Sequence, residues 1–280
     1  MQPHTWFITG ISSGLGQALA AAALAQGDIV AGTFRHAGQA EAFRHTTQGR
    51  SIAYVLDVTD PAGVATAVQA FMEEVGRLDR LVNNAGFGFA GAVEEASEAE
   101  LRAVMETNFY SVWRITQAFL PMLRRQGQGH IFQISSHGGF KAFPGFGIYN
   151  ASKFAVEGLS EALAAELAPL GIRVTIVEPG PFRTAFAGVG FRQAANHIPA
   201  YAETAGAFRT RMSQVHGRQE GDPALAARAI LAAADSAQPP LRLPLGRVAL
   251  GSLRAKLSSV QADLEAWEAV AAAAVFEPGQ

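Results

Sequence analysis

The chain contains no cysteine. Disulfides and thiolate metal sites are therefore excluded, and a reducing cytoplasm is the expected location. Long apolar runs are also missing: Gly, Gln, Glu or Arg interrupts each one, well short of the roughly 18 residues that cross a bilayer. No membrane association is expected. The first residues pass directly from Met1 into Thr5-Trp6-Phe7-Ile8-Thr9, without a basic region, an apolar signal core or a cleavage site. Neither sign of charge is in excess: 22 Lys and Arg oppose 24 Asp and Glu, a net −2. That balance removes the electrostatic argument for nucleic acid or an anionic membrane as partner. The seven histidines lack metal-ligand spacing, so no metal site is expected.

What is present suffices for a large core. Hydrophobic residues make up 49% of 280 positions and charged residues 16%, and such a length and composition favour one α/β domain over 1–280. Strand-like runs at 5–9, 29–34, 51–56, 80–83, 130–135 and 173–177 alternate with helical pattern at 15–26, 62–76, 98–125 and 149–170. The third helical stretch is expected to break or bend near Asn108. Alternation of this kind predicts parallel crossover units and a doubly wound sheet. Beyond it, 182–220 lacks periodicity and is read as a loop-rich lid over a substrate site. Asp222 is placed to cap a helix at 223–234, and 241–243 is a final short strand. A terminal helix over 251–275 carries an apolar stripe of Leu257, Val260, Leu264, Trp267 and Val270, which predicts a packing or oligomer face.

Between the first strand and first helix lies Thr9-Gly10-Ile11-Ser12-Ser13-Gly14-Leu15-Gly16. Glycines there allow a tight turn and close approach to a pyrophosphate, and the helix N-terminus offers unpaired amides to phosphates. Gly10, Ser12, Ser13, Gly14, Leu15 and Gly16 are thus candidate cofactor contacts. A carboxylate ending the second strand would favour NAD over NADP. The strand instead ends Thr33-Phe34-Arg35-His36, and Arg35 offers a permanent charge suited to a 2′-phosphate. Asp28 opens the strand, at the wrong end of the sheet. NADP(H) is favoured over NAD(H).

Tyr149 and Lys153 stand four residues apart, so on a helix they share a face. A phenol ordinarily ionises near pH 10, and an adjacent ammonium lowers that value and readies the tyrosine for proton transfer. Ser136 precedes Tyr149 by thirteen positions. The glycine loop, Asn83-Asn84-Ala85-Gly86, Ser136, the Tyr149/Lys153 pair and Pro179-Gly180 occur in that order. Together they resemble the short-chain dehydrogenase/reductase family over 5–184.

The resemblance implies a Rossmann-like, doubly wound parallel sheet of about seven strands flanked by helices. It also implies roles. Asp57 and Val58 match the adenine-contacting segment, Asp57 accepting from the base amino group. Asn83, Asn84, Ala85 and Gly86 match the loop that lines the cofactor and supports the sheet. Asn108 matches a catalytic asparagine holding a water beside the lysine. Pro179, Gly180 and Thr184 match the segment at the nicotinamide carboxamide. Ser136 is preferred to Ser135 because the family interval before the tyrosine is commonly thirteen and Gly138-Gly139 follow. Lys153 would also hydrogen-bond the nicotinamide ribose. Members commonly pair through helices corresponding to 107–125 and 152–170, which implies a homodimer or homotetramer.

The function expected is hydride transfer between a nicotinamide and a carbonyl or alcohol carbon, with Tyr149 moving the proton and Ser136 fixing the oxygen. Phe87, Phe89, Phe140, Phe143, Phe146, Phe182 and Phe186 follow strand ends and predict an apolar pocket for a hydrophobic ketone or alcohol. Ser136, His137, Phe87, Phe143 and Phe182 are the candidate substrate contacts. Glu73-Glu74 and Glu94, Glu95, Glu98 and Glu100 read as solvated helix faces. Two other classes fit the scaffold: a catalytically silent NADPH-binding regulator, and an epimerase or dehydratase that recycles its cofactor.

Overall fold

Trp6 and Ile8 alternate with Phe7 along the first strand, and all three are fully buried. Successive strand residues face opposite sides, so this strand must be covered on both. The computed structural model, which describes residues 3–47, 49–188 and 190–276, shows how. Strand β1 (Thr5–Ile8) lies near the middle of a seven-stranded sheet with β2 (Ile29–Phe34), β3 (Ser51–Val55), β4 (Arg80–Asn83), β6 (Gly129–Ile134), β7 (Ile172–Pro179) and β9 (Arg242–Leu245). The order is β3-β2-β1-β4-β6-β7-β9, parallel at every pairing. Helices α1 (Gly14–Ala25) and α8 (Pro223–Asp235) cover one face, packing Leu19, Ile230 and Leu231 with Trp6, Ile8 and Phe132. Helices α3 (Pro61–Glu74), α5 (Ser111–Gln126) and α6 (Gly147–Leu167) cover the other, where Phe7 meets Phe71 and Phe119 at ring distances of 5.4 and 4.8 Å. Connections leave in opposite directions from β1 and β4, opening a crevice beyond their carboxyl ends.

The bend expected near Asn108 is a π-helical turn, Glu106–Tyr110, between α4 (Glu98–Met105) and α5. A short helix, α2 (Ala37–Arg44), escaped the sequence pattern because only Ala40 is buried and eight residues give no apolar stripe. The 182–220 segment is more regular than expected. It contains β8 (Phe191–Gln193), paired in parallel with β5 (Gly88–Ala90), and α7 (Ala207–Val215). The terminal helix α9 runs Arg247–Ala272, starting earlier than 251 because the left-handed turn at Gly246 (φ 88°) directs the chain into it. No helix among the described residues is long and apolar enough to cross a membrane.

Candidate active site

The glycine loop fits the end of β1 because neighbouring chain fills the space a side chain would need. Gly10 has φ 69° and Gly14 φ 64°, the left-handed region that favours glycine. A Cβ on Gly16 would collide with the Asn84 amide nitrogen. That nitrogen donates to the carbonyls of Thr9 and Gly10, both at 2.9 Å. Asn84 therefore holds the loop in shape. Ala85 lies against Gly10, and Thr184, reached from the end of β7, lies against Gly14. Ser13 stands at the start of α1 without capping it through its side chain, and the hydroxyl-bearing residues Ser12 and Ser13 are exposed. Uncapped amides, two free hydroxyls and a floor closed to side chains fit a dinucleotide pyrophosphate.

Arg35 is exposed at the end of β2, and its charge reaches Asp57 beyond the end of β3, helping to lower that carboxyl. The larger causes are the Thr59 amide and hydroxyl, which donate to Asp57 Oδ1 at 2.9 and 2.7 Å. Val58 is buried beside it. Asp28, by contrast, is consumed at the opposite strand end by the Trp6 indole (2.8 Å) and the His4 amide (2.9 Å). Gly180 donates to Leu245 at 2.9 Å and has Ala249 against its α-carbon, so the segment after Pro179 is held by the last strand and last helix.

Helix α6 presents Tyr149 and Lys153, both buried, toward Ser136 at the end of β6. Ser136 Oγ accepts from the Gly138 amide at 2.9 Å, which leaves its proton for another acceptor. Lys153 Nζ donates to the Ile134 carbonyl at 2.8 Å and lies 5.9 Å from the Tyr149 ring centre. The Asn108 amide clamps the π-helical turn to the site. Its nitrogen donates to the Phe87 carbonyl (2.9 Å) and Ser152 Oγ (3.1 Å), while its oxygen accepts from the Phe87 amide (3.0 Å). Ser152 in turn donates to the Tyr149 carbonyl at 2.7 Å. Asn83 is remote from this clamp, tying β4 to Thr116 and Gln133.

The electrostatics differ from the sequence expectation. Burial pushes the Tyr149 phenol up to about 12, against a lowering by the Ser136 hydroxyl, and pushes Lys153 down to about 8, against Glu157. Desolvation is the largest cause for each group, and it leaves the phenol above its ordinary value rather than below it.

An aromatic wall adjoins Tyr149. Phe146 stacks on its ring at 4.2 Å, Phe186 stands edge-on at 5.7 Å, and Phe143, Phe191, Phe208 and Met212 complete the cluster. His137 packs on Phe143 at 5.0 Å, its Nδ1 lies 3.1 Å from Ser252 Oγ, and burial pushes it down to about 4, so it is neutral at pH 7. Phe87 stands apart, under the Arg192 guanidinium at 4.2 Å. Phe182 is not brought to the wall. Its ring packs on the α1/α8 core and against Gly221. Phe191 and Phe208 were missed because 182–220 showed no periodicity to orient them.

Two buried ion networks also escaped the sequence reading. Glu95 is not a solvated surface acid. It is fully buried, paired with Arg209 at 2.6 Å, and accepts from the amides of Ala92 (2.8 Å) and Ile198 (2.9 Å). Arg209 is the main cause of a lowering to about 2. Glu100 likewise accepts from the Ser97 and Ala195 amides. Behind Lys153, Arg242 of β9 bridges Glu157 of α6 and Glu178 of β7 at 2.5 and 2.6 Å and also pairs with Glu161. Ser135 faces this cluster: a Cβ on Gly139 would touch both its hydroxyl and Glu157. Partners so far away in sequence leave no local signature.

A family model for short chain dehydrogenases matches residues 4–194. Oxidoreductase BOA17 of Botryotinia fuckeliana is 40% identical over 242 residues, 86% of this chain and 88% of its own. A 3-ketodihydrosphingosine reductase of Bacteroides thetaiotaomicron is 45% identical over 186 residues, 66% of each chain. The crystal structure of a short-chain dehydrogenase from Streptomyces avermitilis superimposes with a TM-score of 0.92 at 43% identity, covering 98% of this chain and 99% of its own.

Proposed function

The chain belongs to the short-chain dehydrogenase family, and from that premise we propose that it is an NADP(H)-dependent oxidoreductase interconverting a hydrophobic ketone or aldehyde and its alcohol. The observation that carries the reading is the convergence of Ser136, Tyr149 and Lys153 beneath an aromatic wall and beside the glycine-loop cradle. When bound, the nicotinamide supplies the hydride in reduction and accepts it in oxidation.

The remaining steps belong to the protein. Ser136, with its oxygen already accepting from Gly138, directs its proton at the substrate oxygen and fixes it. Tyr149, held neutral by burial, donates its proton to that oxygen as charge develops there. Lys153 supplies positive charge beneath the phenol. Asn108 keeps the π-helical turn, the Phe87 backbone and Ser152 in register with it. Arg35, unencumbered at the end of β2, is the group suited to a 2′-phosphate, with Asp57 beside it for the adenine. Phe146 and Phe186 exclude water from the reacting carbon and favour an apolar substituent. The Bacteroides relative is by its name the reductase of a keto compound, which accords with a neutral phenol as proton donor. The protein is read as acting in the cytoplasm as a homodimer or homotetramer. Exposed Tyr110, Trp113 and Phe154, on the π-helical turn, α5 and α6, support pairing through those helices.

The test is a carbonyl panel assayed with NADPH and NADH. Oxidation of one NADPH per carbonyl reduced is expected, with bulky aryl ketones preferred to small polar ones. Tyr149→Phe should lower turnover about 10²–10⁴-fold with NADPH binding retained. Arg35→Ala should weaken NADPH about 10- to 100-fold and leave NADH unchanged. Turnover retained in Tyr149→Phe, or NADPH spared in a product that is only epimerised or dehydrated, would overturn the assignment.

A further inference from the structure

Helix α9 is longer than its contacts with the rest of the protein require. Its 26 residues extend about 39 Å at 1.5 Å per residue, yet only Ala249 and Leu253 are buried. The first two turns rest on β9 and on the turn at 137–139. Every described residue from Leu257 to Phe276 is exposed. The exposed face is not polar. Beyond the buried Leu253, the exposed Leu257, Val260, Leu264, Trp267 and Ala271 follow one another at alternating intervals of three and four, the spacing of a two-helix seam. Leu257, Leu264 and Trp267 are 58%, 62% and 64% exposed. A helix carrying such a seam gains most of its stability from packing that face.

Charge identifies what packs there. The basic residues of α9, Arg247, Arg254 and Lys256, lie in its first half, and the acidic ones, Asp263, Glu265 and Glu268, in its second. This polarity is the reverse of what a lone helix prefers, since the macrodipole favours acids at the N-terminus and bases at the C-terminus. It is what an antiparallel copy prefers, because the basic half of each helix then meets the acidic half of the other. Parallel pairing would set like against like. The absence of net charge and of a basic face argues against an anionic bilayer as the occupant.

We propose that α9 is a self-association element, pairing antiparallel with α9 of a second copy about a two-fold axis near residue 262. The seam then matches Leu257 of each copy with Trp267 of the other and Val260 with Leu264. The contact is isologous and closes on itself, as a two-fold interface must. It lies on a different element from the π-turn, α5 and α6 face, so loss of one need not abolish the other.

Experiments on the full chain test this. Sedimentation should give Leu257→Glu/Leu264→Glu half the wild-type mass; both side chains are exposed, so the fold has no need of them. The absence of native cysteine makes crosslinking clean. In Leu257→Cys/Trp267→Cys, mild oxidation should covalently join two copies. Neither single variant should crosslink, because like positions in antiparallel helices sit about ten residues, ~15 Å, apart. Charge reversal of Arg254 and Lys256 to Glu should weaken association, and further reversal of Asp263, Glu265 and Glu268 to Lys should restore it. A monomeric wild type, an unchanged mass in Leu257→Glu/Leu264→Glu, or crosslinking by the single variants would overturn the proposal. So would wild-type binding to phosphatidylcholine vesicles that this variant loses without a change of mass.

Discussion

Tyr149 and Lys153 are buried, and burial favours the uncharged form of each. For the tyrosine that is the state carbonyl reduction needs, since a neutral phenol holds the proton to be donated. For the lysine it is a liability. With the phenol near 12 and the ammonium near 8, the first group lost as pH rises is Lys153. The value of kcat/KM for NADPH, which reports the free enzyme, should therefore be level through neutrality and fall above about pH 8. A profile unchanged to pH 10 would show that the ammonium keeps its proton or is not needed. Tyr149 and Lys153 stood out as a candidate pair only through their company, since four-residue spacing alone is common on helices and gained weight from Ser136 and the glycine loop. Their proton affinities were not legible, because desolvation depends on every element packed around them.

Elements deliver these residues, and two deserve comparison. The π-helical turn was foreshadowed by a break near Asn108, yet its purpose is visible only in the three bonds from one amide to Phe87 and Ser152. The 182–220 segment gave no periodic signal because it is short elements fastened to distant chain: β8 to β5, and Arg209 to Glu95. Removing one partner of a buried ion pair costs about 3–5 kcal/mol, roughly a hundredfold or more in local opening. Glu95→Ala should accordingly speed hydrogen exchange across 191–215 while leaving the central strands protected, and should raise KM for the carbonyl more than it lowers kcat. Equal protection in both proteins would mean that the segment is held by its aromatic contacts instead.

At the scale of the whole molecule, the Glu157–Arg242–Glu178 cluster joins α6 to the last two strands of the sheet. Burial pushes Glu178 up to about 7 from 4.5, Glu157 adds to the rise, and Arg242 opposes it. The folded protein thus binds this proton more tightly than the unfolded chain. The stability it contributes is full below about pH 4.5 and is lost as pH rises through about 7. Denaturant titrations should show Glu178→Gln gaining on the wild type across that interval, and parallel pH dependences would refute the raised carboxyl.

The amino-acid sequence made the parallel α/β alternation, the glycine loop and the terminal apolar stripe legible, and the family resemblance singled out Asn108, Ser136, Tyr149 and Lys153 as candidates. The alternation, the loop and the stripe rest on periodicity or motif spacing, which are properties of a local stretch of chain. Long-range packing alone buries Glu95, brings Phe191 and Phe208 to the wall while taking Phe182 from it, and sets Asn84 to brace the glycine loop. Each depends on chain segments tens of residues apart, and burial, charge pairing and desolvation exist only once those segments meet.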